Sequence, residues 1–117
     1  AEGRPSLKAS RIHAQTLSSR IGRPVFLTLG SKGILVADGN SIAHIPALRI
    51  KGPVDTVGAG DSCSAAISST LAVGATLIEA ATFASLVASV TVQQLGTTGT
   101  ASPTQIRRRL QEVRRGL

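Results

Sequence analysis

The sequence predicts an α/β fold built as one layered domain, and three observations carry that reading. Short apolar runs of strand type fill the first half, and an Asp-Gly pair separates two of them. Two capping-box patterns announce helices in the second half. No long linker, internal repeat or low-complexity tract interrupts the 117 residues, a length suited to a single domain with a modest core.

The elements follow in order. Residues 5–24, PSLKASRIHAQTLSSRIGRP, read as a helix in which Ala9, Ile12, Leu17 and Ile21 share a broad apolar stripe. Gly22 is placed to cap its C-terminus, and Pro24 prevents continuation. VFLTL then reads as a short strand, and GILVA and SIAHI flank Asp38-Gly39-Asn40 as the arms of a hairpin. PALRIKGP reads as a further short extended piece.

From Ala59 the pattern turns helical, with Cys63, Ala66, Ile67, Thr70 and Leu71 at helical spacing and Gly74 closing the run. Ser and Ala fill its other side, so this helix is slim and suited to close packing. Thr76 and Glu79 form a capping box for a helix running through Phe83, Val87 and Val90 toward Gln94. Ser102 and Gln105 form a second box, with Pro103 at the favoured first helical position.

Composition narrows the function classes. Aromatics are limited to Phe26 and Phe83, so the core rests on Ala, Val, Leu and Ile, and stacking platforms for single-stranded nucleic acid are missing. The net charge is +7, and much of it lies in RRRLQEVRR, where Arg107, Arg108, Arg109, Arg114 and Arg115 read as the solvated face of a terminal helix. Neither a nucleic-acid nor a membrane partner is expected. The single Cys63 excludes an internal disulfide framework and a four-cysteine metal site. With no apolar run near the ~20 residues of a membrane span, and no signal-peptide pattern, the expectation is a soluble cytoplasmic protein.

The chemistry concentrates in PVDTVGAGDS, Pro53 to Ser62. A helix beginning at this cluster leaves its first backbone N–H groups without intrahelical partners. Small residues at Gly58, Ala59 and Gly60 let an anion reach those donors, and the helix dipole adds about half a positive charge there. The expected product is an anion hole suited to a phosphate. Asp61 has two readings: a residue complementing the helix N-terminus, or a general base that takes a proton from an attacking hydroxyl. The first explains one acid, but not the three small residues before it or Asp55. The second suits phosphoryl transfer, where positioning and charge stabilisation matter most.

DTVGAGDSCSAAIS resembles the C-terminal signature of the ribokinase-like sugar kinases of the phosphofructokinase-B type, and every position from Asp55 to Ser68 agrees with it. Cys63 stands where an apolar or aromatic residue is common in that family. FLTLGSKGILVADG is similar to the family's nucleotide-contacting turn, with Thr28, Gly30 and Gly33 in matching places; a tight strand-to-strand turn explains the two glycines equally. Lys32 reads as a phosphate ligand or as a solvated turn lysine. FASLVASVTVQQLGTTGTASP resembles the segment that closes over adenine, with Ala84 where a polar residue is frequent, so adenine is expected to be held by shape.

The resemblance implies the C-terminal portion of a ribokinase-like, Rossmann-type three-layer α/β/α fold, with ATP and Mg2+ as cofactors. Asp55, Val57, Gly96 and Thr100 would ligate a monovalent cation such as K+. His13 and His44 read as spectators. The family's sugar-binding signature, lid and Asn-x-x-Glu motif do not occur in these residues, so the expectation is one part of a carbohydrate kinase, inactive when isolated. Its partners would be a nucleotide and a sugar or nucleoside, and the resemblance allows a homodimer of the full-length protein. The alternative is a nucleotide-binding module without catalytic activity; retention of Asp61 argues for catalysis. A P-loop is absent.

Overall fold

In a computed structural model the protein is described at residues 6–50, 52–53, 59–94 and 100–116. The chain divides into two compact units, Ala1–Pro46 and Ala47–Leu117.

The first unit begins with α1 (Leu7–Ile21), whose N-cap Ser6 accepts from the Ala9 N–H. Gly22, left-handed at φ 66°, ends it, because such a φ is open to glycine at no steric cost. Three antiparallel strands follow, β1 (Val25–Thr28), β2 (Ile34–Asp38) and β3 (Ser41–Ile45), in the order β1-β2-β3. Leu27 lies opposite Leu35, and Leu35 opposite His44. The hairpin between β2 and β3 turns on Gly39-Asn40, with positive φ only at Gly39, as in a type II′ turn. Leu35 has no exposed surface, and burying such a side chain contributes roughly 1.5–3 kcal/mol.

The apolar stripe expected of α1 does not face the sheet. Ser10, Ala14 and Ser18 are the buried residues of the helix, whereas Ile12, Leu17 and Ile21 remain about half exposed. The physical reason is visible at Ser18. Its hydroxyl donates to the Arg23 carbonyl at 2.7 Å and accepts from the Gly39 N–H at 2.9 Å. One buried oxygen thereby ties the end of α1 to the hairpin turn, and Gln15 adds a bond to the Asn40 carbonyl. A buried hydroxyl that is doubly bonded carries little desolvation penalty.

The second unit opens with residues 47–50, which form no strand. The extended piece expected there is therefore not part of the sheet. Three helices follow: α2 (Ala59–Ala72), α3 (Leu77–Thr91) and α4 (Pro103–Arg114). Both expected capping boxes are present, Thr76 with Glu79 and Ser102 with Gln105, and Pro103 occupies the first turn of α4. Nine of the fifteen residues of α3 are buried, which makes it the central helix of this unit. It packs along α2 and against α4. Alanines at 80, 81 and 84, all without exposed surface, keep that core thin.

Candidate active site

The expected site residues fall in both units, and each unit is described separately. In the first, the turn joining β1 to β2 begins after Thr28, which is exposed at the strand end. A short 3-10 turn spans Gly30–Lys32, bracketed by Gly30 at φ 60° and Gly33 at φ 98°, ψ −143°. Both are conformations that only glycine adopts readily, so the turn itself requires them. The Leu29 N–H closes it on the Gly33 carbonyl at 2.7 Å. Space around Gly30 is open, with nothing within 4 Å of an added Cβ. His44, expected to be a spectator, braces this turn instead: its Nε2–H donates to the Lys32 carbonyl from the neighbouring strand. The Lys32 side chain is exposed.

In the second unit, Ala59, Gly60 and Asp61 form the first turn of α2. Gly60 is helical, and a Cβ built on it meets nothing within 4 Å. Helix propensity disfavours glycine against alanine by about 1 kcal/mol. Neither strain nor crowding among the described residues accounts for it, so the glycine leaves room over the backbone without serving the helix. Asp61 is exposed on this turn, and no ion pair engages it among the described residues. Gly58 lies outside the described residues, as do Asp55, Val57 and Gly96.

Two residues beyond Asp61, Cys63 is buried and donates its thiol to the Ala84 carbonyl at 3.8 Å. Burial pushes the Cys63 thiol pKa up, which keeps the group neutral and suited to packing. This contact fixes Ala84 against the first half of α2. The Ala84 methyl has no exposed surface, so any part it takes in holding adenine works through the close fit of α2 and α3. Thr100 is exposed, and Gln94 grips its backbone from both sides: Oε1 accepts from the Thr100 N–H at 3.0 Å, and Nε2 donates to the Thr100 carbonyl. That carbonyl retains a second lone pair, so it fits a role as a cation ligand. No group of three or more His, Cys, Asp or Glu is placed to bind a metal among the described residues.

Sequence reasoning missed Arg109. Arg107, Arg108, Arg114 and Arg115 are exposed as expected, but Arg109 is buried. Its Nε donates to Ser89 Oγ at 3.1 Å, Nη2 to the Arg49 carbonyl at 2.7 Å, and Nη1 to Glu112 Oε2 at 3.2 Å. The available signal was its helical register with Ile106 and Val113, both half-buried.

A family model described as pfkB family carbohydrate kinase matches residues 3–105. Ribokinase of Lactococcus lactis subsp. lactis is 32% identical over 75 residues, covering 64% of this chain and 25% of its own length. Among solved structures, Escherichia coli phosphofructokinase-2 in complex with potassium superposes with a TM-score of 0.80 at 25% identity, covering 94% of this chain and 35% of that one. Arabidopsis thaliana ribokinase complexed with ribose and ATP gives 0.68 at 29% identity, over 74% of this chain and 28% of that one. The chain thus spans about a quarter to a third of the length of these relatives. Among the described residues no helix is long and apolar enough to cross a membrane.

Proposed function

The chain belongs to the pfkB family of carbohydrate kinases, and from that membership we propose that it supplies the C-terminal, nucleotide-binding and catalytic-base portion of an ATP-dependent kinase. Its α/β fold is a part of the ribokinase-like fold. The acceptor would be a hydroxyl of a sugar or related small molecule, in line with the ribose and ATP bound by the Arabidopsis ribokinase.

The observation that carries this reading is the first turn of α2: a helical glycine with open space around it, followed by an exposed aspartate. The amides of Gly58, Ala59, Gly60 and Asp61 would donate to oxygens of the transferred phosphoryl group. Their dipoles are aimed before the reaction begins, which is the arrangement that stabilises developing charge most. Asp61 takes the proton of the acceptor hydroxyl as that oxygen attacks phosphorus. Thr28, Gly30 and Gly33 would line the nucleotide from the β1–β2 turn, and the packing at Ala84 would bound the adenine. Mg2+, when bound with the nucleotide, would supply charge neutralisation across the phosphates. Asp55, Val57, Gly96 and Thr100 are the proposed ligands of a monovalent cation, a reading supported by the potassium in the phosphofructokinase-2 structure.

Orientation of the acceptor accounts for roughly 7–11 kcal/mol of barrier lowering in well-placed reactions. On this reading the chain supplies the base and the anion hole, and other parts of the kinase position the sugar. The 117 residues alone are therefore expected to bind ATP or ADP weakly and to show no sugar-dependent turnover. An ADP-release assay against a panel of sugars and nucleosides tests this, with Asp61→Asn as control. Turnover that depends on sugar and vanishes in the variant would show that the chain is a catalyst by itself. Failure of ADP to bind at all would remove the nucleotide reading.

A further inference from the structure

His44 is an unexpected residue at its place in the sheet. It stands opposite Leu35 on β2, and Leu35 stands opposite Leu27 on β1. Residues directly opposite share a face, so Leu27, Leu35 and His44 form one row across the three strands. Leucines hold the other two places, and Leu35 has no exposed surface. For the sheet alone, an aromatic or β-branched apolar side chain would serve position 44 as well or better. A half-buried imidazole in such a row calls for a partner.

That partner is the Lys32 carbonyl, which accepts from Nε2–H. A carbonyl only accepts, so the bond fixes a proton on Nε2. The peptide joining Lys32 to Gly33 is thereby held at both polar groups, because its N–H donates to the Gly30 carbonyl at 3.1 Å. Gly33, at φ 98° and ψ −143°, sits where glycine alone goes readily, and glycine is equally free to leave. Bonds on both sides of that peptide remove the freedom. The Gly33 carbonyl in turn accepts from the Leu29 N–H at 2.7 Å, which closes the turn onto β1. This pair continues the β1–β2 register, so Leu29 and Gly33 lie on the face that carries Leu27, Leu35 and His44. Among the described residues, His44 is the one side chain that hydrogen-bonds to residues 29–33. A residue of β3 thus sets the shape of a turn between the other two strands.

We propose that His44 is a positioning residue for the nucleotide: its bond to the Lys32 carbonyl holds the β1–β2 turn in the shape that places Thr28, Gly30 and Gly33 for contact. This role rests on the nucleotide reading given above. Two replacements separate it from a role in the strand. Phenylalanine keeps the ring and is favoured in strands, but has no donor. Glutamine lacks the ring but carries an N–H donor at a similar reach. A strand role ranks phenylalanine above glutamine, and a positioning role ranks them the other way.

The test uses the 117-residue chain with His44→Phe, His44→Gln and, as a control, Gly30→Val. Chemical denaturation reads stability, and Mg·ADP affinity, measured well below the unfolding midpoint, reads binding. Amide exchange without nucleotide reads the turn at Leu29 and Gly33, whose N–H groups are both hydrogen-bonded within it. With His44→Phe the denaturation midpoint should hold or rise. Exchange at Leu29 and Gly33 should quicken at least about fivefold while the β2 amides keep their protection, and affinity should fall about fivefold or more. His44→Gln should keep affinity within about twofold, even where its midpoint is lower. Gly30→Val distorts the turn directly, because valine is strained at φ 60°, and should lose affinity with His44 in place. Unchanged exchange in His44→Phe overturns the brace. Affinity that stays parental in His44→Phe, or falls as far in His44→Gln, makes His44 a strand residue only and overturns the positioning role. If His44→Phe does not fold, His44→Leu decides by the same criteria. Parental affinity in Gly30→Val would mean that the turn does not meet the nucleotide, and no binding by the unsubstituted chain would end the nucleotide reading. Either result overturns the positioning role, and exchange still decides whether the brace exists.

Discussion

The N-terminus of α2 and those of α3 and α4 are built on opposite plans. At α3 and α4 the cap hydroxyl accepts from the third helical residue, and that residue's side chain accepts from the cap amide. At each of these ends the cap amide and the third-residue amide are satisfied by side chains of the same turn. The residue preceding α2 is Gly58, which has no side chain with which to cap, and the turn goes on through Ala59 and Gly60 to an exposed acid. A helix end that evolution intends only to stabilise is closed by its own side chains. The α2 start, with Gly60 and an exposed Asp61 in its first turn, is where the anion hole is proposed.

Substitutions at these ends can break or sharpen that contrast. The largest effect is expected at Asp61. In the kinase of which this chain is proposed to be a part, Asp61→Asn should lower kcat by about 10²–10⁴-fold with nucleotide affinity nearly unchanged. Steady-state kinetics with a saturating acceptor check it, and near-normal turnover would make Asp61 a helix-end residue like Glu79. Next comes Gly60→Val. An added Cβ at Gly60 meets nothing within 4 Å among the described residues, and valine is no worse a helix former than glycine. Circular dichroism should therefore be unchanged while ATP affinity falls at least about tenfold, or about 1.4 kcal/mol. Parental affinity would mean the open end is not used.

At the closed ends the signs reverse. Thr76→Ala and Ser102→Ala should each cost about 1 kcal/mol in chemical denaturation and leave nucleotide affinity alone. A loss of affinity at either would blur the distinction between the two kinds of end. The smallest effect concerns pH. The bonds from the Thr76 N–H and hydroxyl hold the Glu79 carboxyl below its ordinary value. Its folded pKa is depressed, so its contribution to stability is present above the unfolded glutamate pKa and lost as pH falls through the folded value. Glu79→Gln should flatten that acid limb of the unfolding midpoint, read by thermal melts between neutral and acidic pH. An unchanged slope would mean the box is not held by the charged form.

The same contrast explains what the sequence discloses. Capping boxes, Gly22 and the Gly39 turn were legible because each acts within three or four residues, through backbone groups whose needs are fixed. The start of α2 at Ala59, with Gly60 and Asp61 in its first turn, was legible for the same reason, since a helix start is a local object. The inward face of α1 was not. Apolar spacing favoured Ile12, Leu17 and Ile21, but Ser18 found two backbone partners in the hairpin, one of them twenty-one residues away in sequence, and the serine face went inward. Arg109 hid among exposed arginines for a parallel reason, since its partners at Ser89 and Arg49 are distant in sequence.

Cys63 has a practical consequence. It is the only cysteine of the chain, and it lies buried with its thiol on the Ala84 carbonyl. A thiol reagent attacks the thiolate, and here both access and ionisation are withheld: the sulfur is covered, and burial has raised its pKa. Labelling must wait until α2 and α3 part. The rate of modification by an aromatic disulfide, followed by absorbance, is thus an intrinsic clock for separation of those two helices, two residues from Asp61, and it requires no engineered probe. A nucleotide that seats on the α2 N-terminus should slow that clock, so ligands for the site can be ranked by how long they delay a colour change.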